Sequence, residues 1–461
     1  MEKKGKNEGN GLHVVILAAG QGTRMKSSLP KVLQDIAGKP MLERVIDTAI
    51  SLNPDSIKVV VGHKSELIKQ AIHAPVTWYY QDKQLGTAHA IKVVADDLPS
   101  NGRTLVLYGD VPLIDTATLH QLLKIPYPAV ALLSDCLEDP TGYGRIVRDE
   151  KGSITAICEE GDATFSEKVI KEINTGIYVF PNTFLHEALP QIQNNNAKQE
   201  YYLTDAIALA YCQGIAIYNV RVKKHYLAAG VNDKVQLATL ERIYQKEKAH
   251  HFMQEGLTIR DPERVDFRGF FTFGCDCTID INCLFIGKVA LGERVSVGAH
   301  CVLKNVHIGN NVIIAPFSHL EDCVVQEGAR IGPYARLRPG AKIEPYAHIG
   351  NFVEIKNSVV GQESKVNHLT YIGDATIGEH SNIGAGTVTC NYDGVNKYHS
   401  EIGDYCFVGS GVMLVAPVKV GNGATLGAGS VITKDCPEEK LTLARAKQLT
   451  ITHWKKASKR D

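Results

Sequence analysis

No excess of charge marks this chain, whose 50 Lys and Arg are balanced by 50 Asp and Glu. Nucleic acid or an anionic membrane therefore has no global electrostatic attraction for it, and its ligands should be small molecules. No apolar run approaches the roughly 20 residues that span a bilayer, and the charged opening Met1-Glu-Lys-Lys-Gly-Lys-Asn7 lacks a following signal-peptide core. A cytoplasmic protein is expected. The 11 cysteines lie between Cys136 and Cys436 without a C-x-x-C pair, which favours free thiols. Cys275, Cys277 and Cys283 fall close together, but a zinc site there would need a second C-x-x-C or C/H pair. Also missing are the P-loop G-x-x-x-x-G-K-[ST] and a helix-opening G-x-G-x-x-G, which excludes the two commonest nucleotide fingerprints.

What is present instead is Leu17-Ala-Ala-Gly-Gln-Gly-Thr-Arg-Met25, followed by Pro30-Lys31, directly after the apolar strand His13-Val-Val-Ile16. Small residues at Ala18, Ala19, Gly20 and Gly22 let backbone N–H groups approach an anion, and Arg24 and Lys31 add positive charge. A Gly-rich turn after a strand is common in α/β proteins, but this one has the charge a triphosphate demands.

At 461 residues the chain is too long for one ordinary core, so two domains are expected. From Leu12 to about Gly230, apolar strands alternate with amphipathic stretches: His13–Leu17, Leu42–Leu52, Ile57–Val61, Glu66–Ile72 and on to Thr104–Tyr108. This βαβ rhythm predicts a Rossmann-like, mostly parallel sheet over 12–230 with ligands at the carboxyl ends of its strands, after a disordered extension over 1–11. Over 231–256, a stretch free of Gly and Pro until its last residue puts Leu237, Leu240, Ile243 and Tyr244 on one helical face and predicts a linker helix.

From 257 to 461 the period becomes six. Aliphatic residues, mostly followed by a small one, recur at Leu291, Val297, Ile331, Ile343, Ile349, Ile355, Ile372, Ile377 and Ile383, then at Ile402, Val408, Leu414, Val420, Leu426 and Ile432. Hexapeptide repeats of this kind predict a parallel β-helix, the aliphatic residues filling the tube and the small residues letting the chain turn a corner. The stretch Thr389-Cys-Asn-Tyr-Asp-Gly-Val-Asn-Lys-Tyr398 breaks the rhythm. The basic tail Trp454-Lys-Lys-Ala-Ser-Lys-Arg460 reads as a solvated terminus.

The L-x-x-G-x-G-T-R-M…P-K pattern resembles the signature of sugar nucleotidyltransferases, and the repeats resemble hexapeptide acyltransferases, whose β-helix is left-handed and packs as a homotrimer. Both halves in this order, with Gln84-Leu-Gly-Thr87, Tyr108-Gly-Asp-Val-Pro112, Thr141-Gly-Tyr-Gly-Arg-Ile146, Glu172-Ile-Asn-Thr-Gly176 and Gly230-Val-Asn-Asp233, resemble the bifunctional uridylyltransferase and acetyltransferase family that makes UDP-N-acetylglucosamine for amino-sugar polymers such as the cell wall. The resemblance covers nearly the whole chain after its first ten residues.

For the first half it implies Mg²⁺ on Asp110 and Asn232, with Arg24 and Lys31 assisting catalysis. The nucleotide sugar or UTP would be bound by Leu17, Ala18, Ala19, Gly20 and Lys31, by Gln81, Gly86 and Thr87 at the uracil, by Tyr108, Gly109 and Asp110, and by Gly144, Glu159 and Asn174 at the sugar. Cys158-Glu159-Glu160 offers two candidate carboxylates for that last role. For the second half it implies His368 as general base, a side chain whose ordinary pKa suits proton removal near neutrality. Arg338, Lys356, Tyr371 and Asn382 match positions holding glucosamine 1-phosphate. Asn391 and Tyr392 match positions where sugar and acetyl-CoA meet, and Ala385, Ser410, Gly427 and Arg445 match positions along the CoA arm. Gly427 departs from the pattern, since relatives carry Ala there.

Overall fold

The structure, a computed structural model, describes residues 11–456. All of the extension expected over 1–11 except Gly11, and the end of the basic tail, lie outside the described residues. Two compact units divide the chain, 1–244 and 245–461.

The first unit is built on nine strands: β1 (Leu12–Ala18), β2 (Ser56–Val61), β3 (Thr77–Tyr80), β4 (Arg103–Tyr108), β5 (Val130–Cys136), β6 (Arg145–Arg148), β7 (Ile154–Cys158), β8 (Glu172–Pro181) and β9 (Ile217–Arg221). The sheet order is β9-β5-β8-β4-β1-β2-β3, with β6 on β8 and β7 on β6. It is mostly parallel, as the βαβ rhythm predicts, but β8 runs antiparallel to both β4 and β5. Alternate residues serve opposite faces: Val14 and Ile16 pack with Val59 and Leu105 on one side, Val15 and Leu17 with Val60 and Val106 on the other. Both faces are therefore dry, which is why the runs 14–17, 59–61 and 105–107 are apolar at successive positions.

The register Leu17↔Tyr108 brings the segments leaving β1 and β4 side by side at the carboxyl edge. Gly109 lies in that seam, where an added Cβ would stand 3.0 Å from Leu42 and 3.2 Å from Ala18. A helix spans Lys234–Gln254. Within the first unit its Leu237, Leu240, Ile243 and Tyr244 pack with Val231, Met25, Ile36 and Met41. That packing supports the segment that carries Arg24 and Lys31.

The second unit is a parallel β-helix. One ladder climbs from Thr258–Ile259 to Leu441–Thr442, and the other strands form a second sheet whose path splits after His319–Val325. Successive coils meet at a spacing of 17 residues, as where the Asn357 amide donates to Asp374, and of 25 across the interrupting loop, as where Cys406 N donates to the Ser381 hydroxyl. Every aliphatic residue of the six-residue pattern lies in its core.

Gly332, after Ile331, takes a left-handed φ of +91° as a corner residue should, but other small residues of the repeat have a different physical role. A Cβ on Gly350 would sit 2.0 Å from the Asn367 carbonyl, and one on Gly361 2.3 Å from that of Gly378. Neither has a left-handed φ, so smallness here lets coils stack closely. The left-handed corners fall to side-chain-bearing residues such as His300, Phe317, Tyr334, Phe352 and Leu369 on the earlier coils and to Gly386, Gly411 and Gly429 on the later ones, and the rings of His300, Phe317, Tyr334 and Phe352 stack on one another at 4.7–5.2 Å. Cys277 and Cys283 donate their thiols to separate carbonyls, Gly292 at 3.0 Å and Gly298 at 3.1 Å.

Candidate active sites

At the carboxyl edge of the first sheet lies a cavity of about 340 Å³, lined by Leu17, Ala18, Ala19, Gly20, Lys31, Gln81, Gly86, Thr87, Tyr108 and Asp110, with Gln84 and Glu200. The charged centre is Lys31. Its ammonium bonds the Asp110 carboxylate and lies 3.3 Å from Asn232 Oδ1, which also accepts from Arg24 at 3.0 Å. Gly22 makes this possible: its φ is +63°, and a Cβ there would meet Lys31 Cβ at 2.6 Å. The Asp110 carbonyl accepts from Val231 N at 2.9 Å, tying the Asn232 segment to the end of β4.

Gln81 spends its amide hydrogens inside the fold, on the Gly86 carbonyl at 3.2 Å and His89 Nδ1 at 2.9 Å. Burial lowers the pKa of His89 and so favours a neutral ring, and because the Gln81 amide N–H can only donate, His89 Nδ1 is the acceptor. The Gln81 carbonyl oxygen is then what remains for a ligand donor. Gly86 has φ +114° and no room for a side chain, because Tyr201 backbone would lie 2.4 Å from its Cβ. Thr87 Oγ1 accepts from Leu203 N at 2.9 Å, fixing the same turn.

Gly144, Glu159 and Asn174 do not line this cavity; Tyr108 connects them to it. Burial, then Glu159 and Asp110, push the Tyr108 phenol up. Gly176, against the Tyr108 ring, donates to Asn174 Oδ1 at 3.1 Å, and Asn174 N donates to the Gly144 carbonyl at 2.8 Å. Of the two candidate carboxylates, Glu160 is engaged by Arg145 at 2.7 Å and Gly142 N at 3.2 Å. Among the described residues the Glu159 carboxylate accepts the Thr204 hydroxyl alone, at 3.3 Å, and burial raises its pKa.

Sequence reasoning missed what surrounds it. The Asp205 carboxyl is pushed up to about 6 by burial, then by Glu159 and Asp162. The buried Tyr202 hydroxyl has no partner among the described residues, and burial pushes it up to about 12. No spacing motif marks these residues; they come to the Gly86 turn through the Leu85–Tyr201 backbone bond of 2.7 Å, with Ala88 N on the Tyr201 carbonyl and Leu203 N on Thr87 Oγ1, both at 2.9 Å.

In the β-helix, Arg338 and Lys356 occupy one column on successive coils, since Leu337 pairs with Ile355 and Arg338 N donates to the Ile355 carbonyl at 2.9 Å. The next residue in that column is Gly373, and the Tyr371 hydroxyl fills the space of its missing side chain, 2.3 Å from an added Cβ. Arg338 is paired with Glu354 at 2.7 Å. Lys356 is held below the usual lysine range chiefly by the ammonium of Lys397 beside it, with burial and Arg338 adding and Asp374 opposing.

Lys397 is a further residue that sequence reasoning missed, although it is the one basic residue of the interrupting stretch. Tyr398 N donates to the Asn391 carbonyl at 2.8 Å, and Tyr392 bridges antiparallel to Lys397. The loop is thus a small hairpin that returns its lysine to the column. Asn391 anchors it by donating to Asp374, and the Tyr392 hydroxyl donates to the Gly394 carbonyl. Three cations facing two carboxylates make an anion site.

His368 ends a strand of the neighbouring ladder, on the other side of the Leu369 corner from Tyr371, and Asn382 pairs with Lys365 on that ladder. Ala385 and Ser410 lie in line on later coils. The register Val408↔Leu426 puts Ala428 in that line and Gly427 behind Gly409. The alanine that the resemblance requires is therefore found at 428. Gly427 is instead covered by Leu443, whose Cδ2 would lie 2.0 Å from an added Cβ. Arg445 donates to the Ala428 carbonyl at 2.8 Å.

Comparison with known proteins agrees with both halves. The family of MobA-like NTP transferase domains matches residues 14–150, and bacterial transferase hexapeptide repeats match residues 322–357 and 399–434. Fold and sites together define a nucleotidyltransferase unit followed by a hexapeptide-repeat transferase unit. The protein named bifunctional protein GlmU in Chromobacterium violaceum is 53% identical over 451 residues, covering 98% of this chain and 99% of that one. Its namesake in Neisseria meningitidis serogroup B is 54% identical, with the same shares, and that of Aromatoleum aromaticum 50% identical over 97% and 99%. The chain belongs to the bifunctional GlmU family.

Proposed function

We propose that this chain catalyses two successive steps of UDP-N-acetylglucosamine synthesis, one in each unit. Residues 257–461 transfer acetyl from acetyl-CoA to glucosamine 1-phosphate; residues 12–230 then transfer uridylyl from UTP to N-acetylglucosamine 1-phosphate, releasing pyrophosphate. The helix over 231–256 links the two. The carrying observation is that each unit gathers its own cluster of candidate residues: Lys31, Asp110, Arg24 and Asn232 beside the Gln81–Thr87 turn, and His368 across one corner from the Arg338, Lys356 and Lys397 cations.

In the first site a sugar phosphate oxygen attacks the α-phosphorus of UTP in line. Lys31, Arg24 and the backbone N–H groups of residues 18–22 neutralise the charge that builds on the phosphates. The Gln81 carbonyl suits the N3–H of uracil, a donor that cytosine lacks. Asp110 and Asn232 fit Mg²⁺, being hard oxygen donors that already converge on one positive charge, the Lys31 ammonium. When bound, the metal supplies further charge neutralisation at the phosphates. In the second site the three cations hold the sugar phosphate, and His368 takes the proton from the amine as that nitrogen attacks the thioester.

Family resemblance supports a homotrimer. A cytoplasmic location is consistent with the lack, among the described residues, of any helix long and apolar enough to cross a membrane. The test is to supply glucosamine 1-phosphate, acetyl-CoA, UTP and Mg²⁺ and to follow free CoA and pyrophosphate separately. Release of both, with CoA release lost in His368→Ala, is expected. Pyrophosphate formed only from added N-acetylglucosamine 1-phosphate, with no CoA released, would reduce the β-helix to a structural module.

A further inference from the structure

We propose that Asn351 is a positioning residue that holds the His368 imidazole in the tautomer whose Nε2 is free to take a proton. The proposal rests on the acetyl-transfer reading above. Asn351 Oδ1 lies 2.9 Å from His368 Nδ1. An amide oxygen only accepts, so Nδ1 carries the hydrogen and the lone pair is on Nε2.

Asn351 stands directly opposite His368 on the preceding coil. Its carbonyl also accepts from Leu369 N at 3.2 Å, so one residue grips both the ring and the corner that follows it. Leu369 takes a left-handed φ of +50° at that corner. The His368 carbonyl accepts from Thr370 Oγ1 at 2.7 Å and from Gly386 N at 3.1 Å, fixing the histidine backbone from the following coil. Backbone bonds thus set where the ring starts, and the Asn351 side chain sets which nitrogen is free.

The choice of an amide has chemical meaning. It orients the ring without adding charge, whereas a carboxylate at the same place would favour the imidazolium and shrink the fraction able to act as a base near neutrality. The charged groups around the pair are His348 on the preceding coil, which interacts electrostatically with His368, and near it Lys365 and Arg330. The following coil faces the pair with Asn382, Gly384 and Ala385, which do not titrate.

Two measurements on the full-length protein decide the matter. In ¹⁵N NMR of ring-labelled histidine, with the His368 signals identified by their loss in His368→Ala, the neutral ring is expected to carry its proton on Nδ1. In steady-state CoA release, Asn351→Ala should lower kcat roughly tenfold and leave the KM for glucosamine 1-phosphate within about twofold, a fraction of what a general base contributes. Asn351→Asp should move the acid limb of kcat/KM to higher pH by about one unit. An Nε2–H tautomer in the wild type would overturn the proposal, as would an Asn351→Ala variant with kcat and pH profile unchanged. Full CoA release by His368→Ala would overturn the acetyl-transfer reading itself, and this assignment with it. A variant that merely loosens the coil would lower the melting temperature without moving the acid limb, which would also count against the proposal.

Discussion

The two candidate sites solve the problem of binding phosphate in opposite ways. In the sheet unit the cation is already neutralised, with Lys31 on the Asp110 carboxylate and Asn232 shared between Lys31 and Arg24. In the β-helix the cations outnumber their partners, and Lys356 is held below its usual range by Lys397. A neutralised site suits a ligand that brings its own metal ion along with its charge; an unneutralised one suits a bare monophosphate. Their construction differs as well. The first site gathers residues from four strand ends and a linking segment far along the chain; the second stacks residues at the spacing of one coil.

The sharpest way to break the comparison is Asp110→Asn, which removes the carboxylate that Lys31 bonds at the charged centre. Uridylyl transfer should fall by roughly 10³-fold or more while acetyl transfer persists, as followed by separate pyrophosphate and CoA assays. Loss of both activities in a folded variant would mean that the sites are not independent.

Next in size is the cation column. Lys356→Ala should raise the KM for glucosamine 1-phosphate roughly 10- to 100-fold, the worth of a charge-assisted hydrogen bond, with a smaller change in kcat. Lys397→Ala should cost less, because it also relieves the repulsion on Lys356. Equal effects would show that relief of that repulsion does not offset the loss of the hairpin lysine's own hold on the phosphate.

Most of the architecture was legible in the sequence because both units advertise their periodicity: successive apolar positions for a two-faced sheet, and an aliphatic residue every six for the β-helix. The site residues were legible only where they fell in local motifs. Tyr202 and Asp205 belong to the first site through the Leu85–Tyr201 pairing, which no local pattern announces. Lys397 was hidden in a stretch read only as an interruption. The one-residue misplacement at Gly427 has a geometric cause, since consecutive residues of a coil look alike in sequence and only strand register tells Ala428 from its neighbour.

Register also predicts where the β-helix is brittle. Gly350→Ala would drive a Cβ to 2.0 Å from the Asn367 carbonyl, beside the candidate base, and should destabilise that unit by about 1–3 kcal/mol. Gly20→Ala in the sheet unit meets nothing within 4 Å and should leave the melting temperature unchanged. If the two alanines cost alike in thermal melts, close coil stacking is not what the repeat glycines are for.

The smallest effect expected is a pH dependence confined to the sheet unit. Asp205 is pushed up to about 6, first by burial and then by Glu159 and Asp162. A carboxyl raised in the folded state binds its proton more tightly there than in the unfolded chain. Stability therefore declines as pH climbs from about 4 to about 6, and the deficit persists above that range. Asp205→Asn removes the deficit at pH 7.5 and changes little below pH 4, where folded and unfolded carboxyls are both protonated. The group is half-buried, so solvent screening reduces the expected gain to about 1 kcal/mol. Losing a negative charge from the first turn of the helix Asp205–Cys212 trims it further. Melting curves at the two pH values check the sign: an asparagine variant less stable at pH 7.5 would mean that the ionised Asp205 is held by a favourable partner, and that carboxylates crowd the first site for binding rather than at a cost to folding.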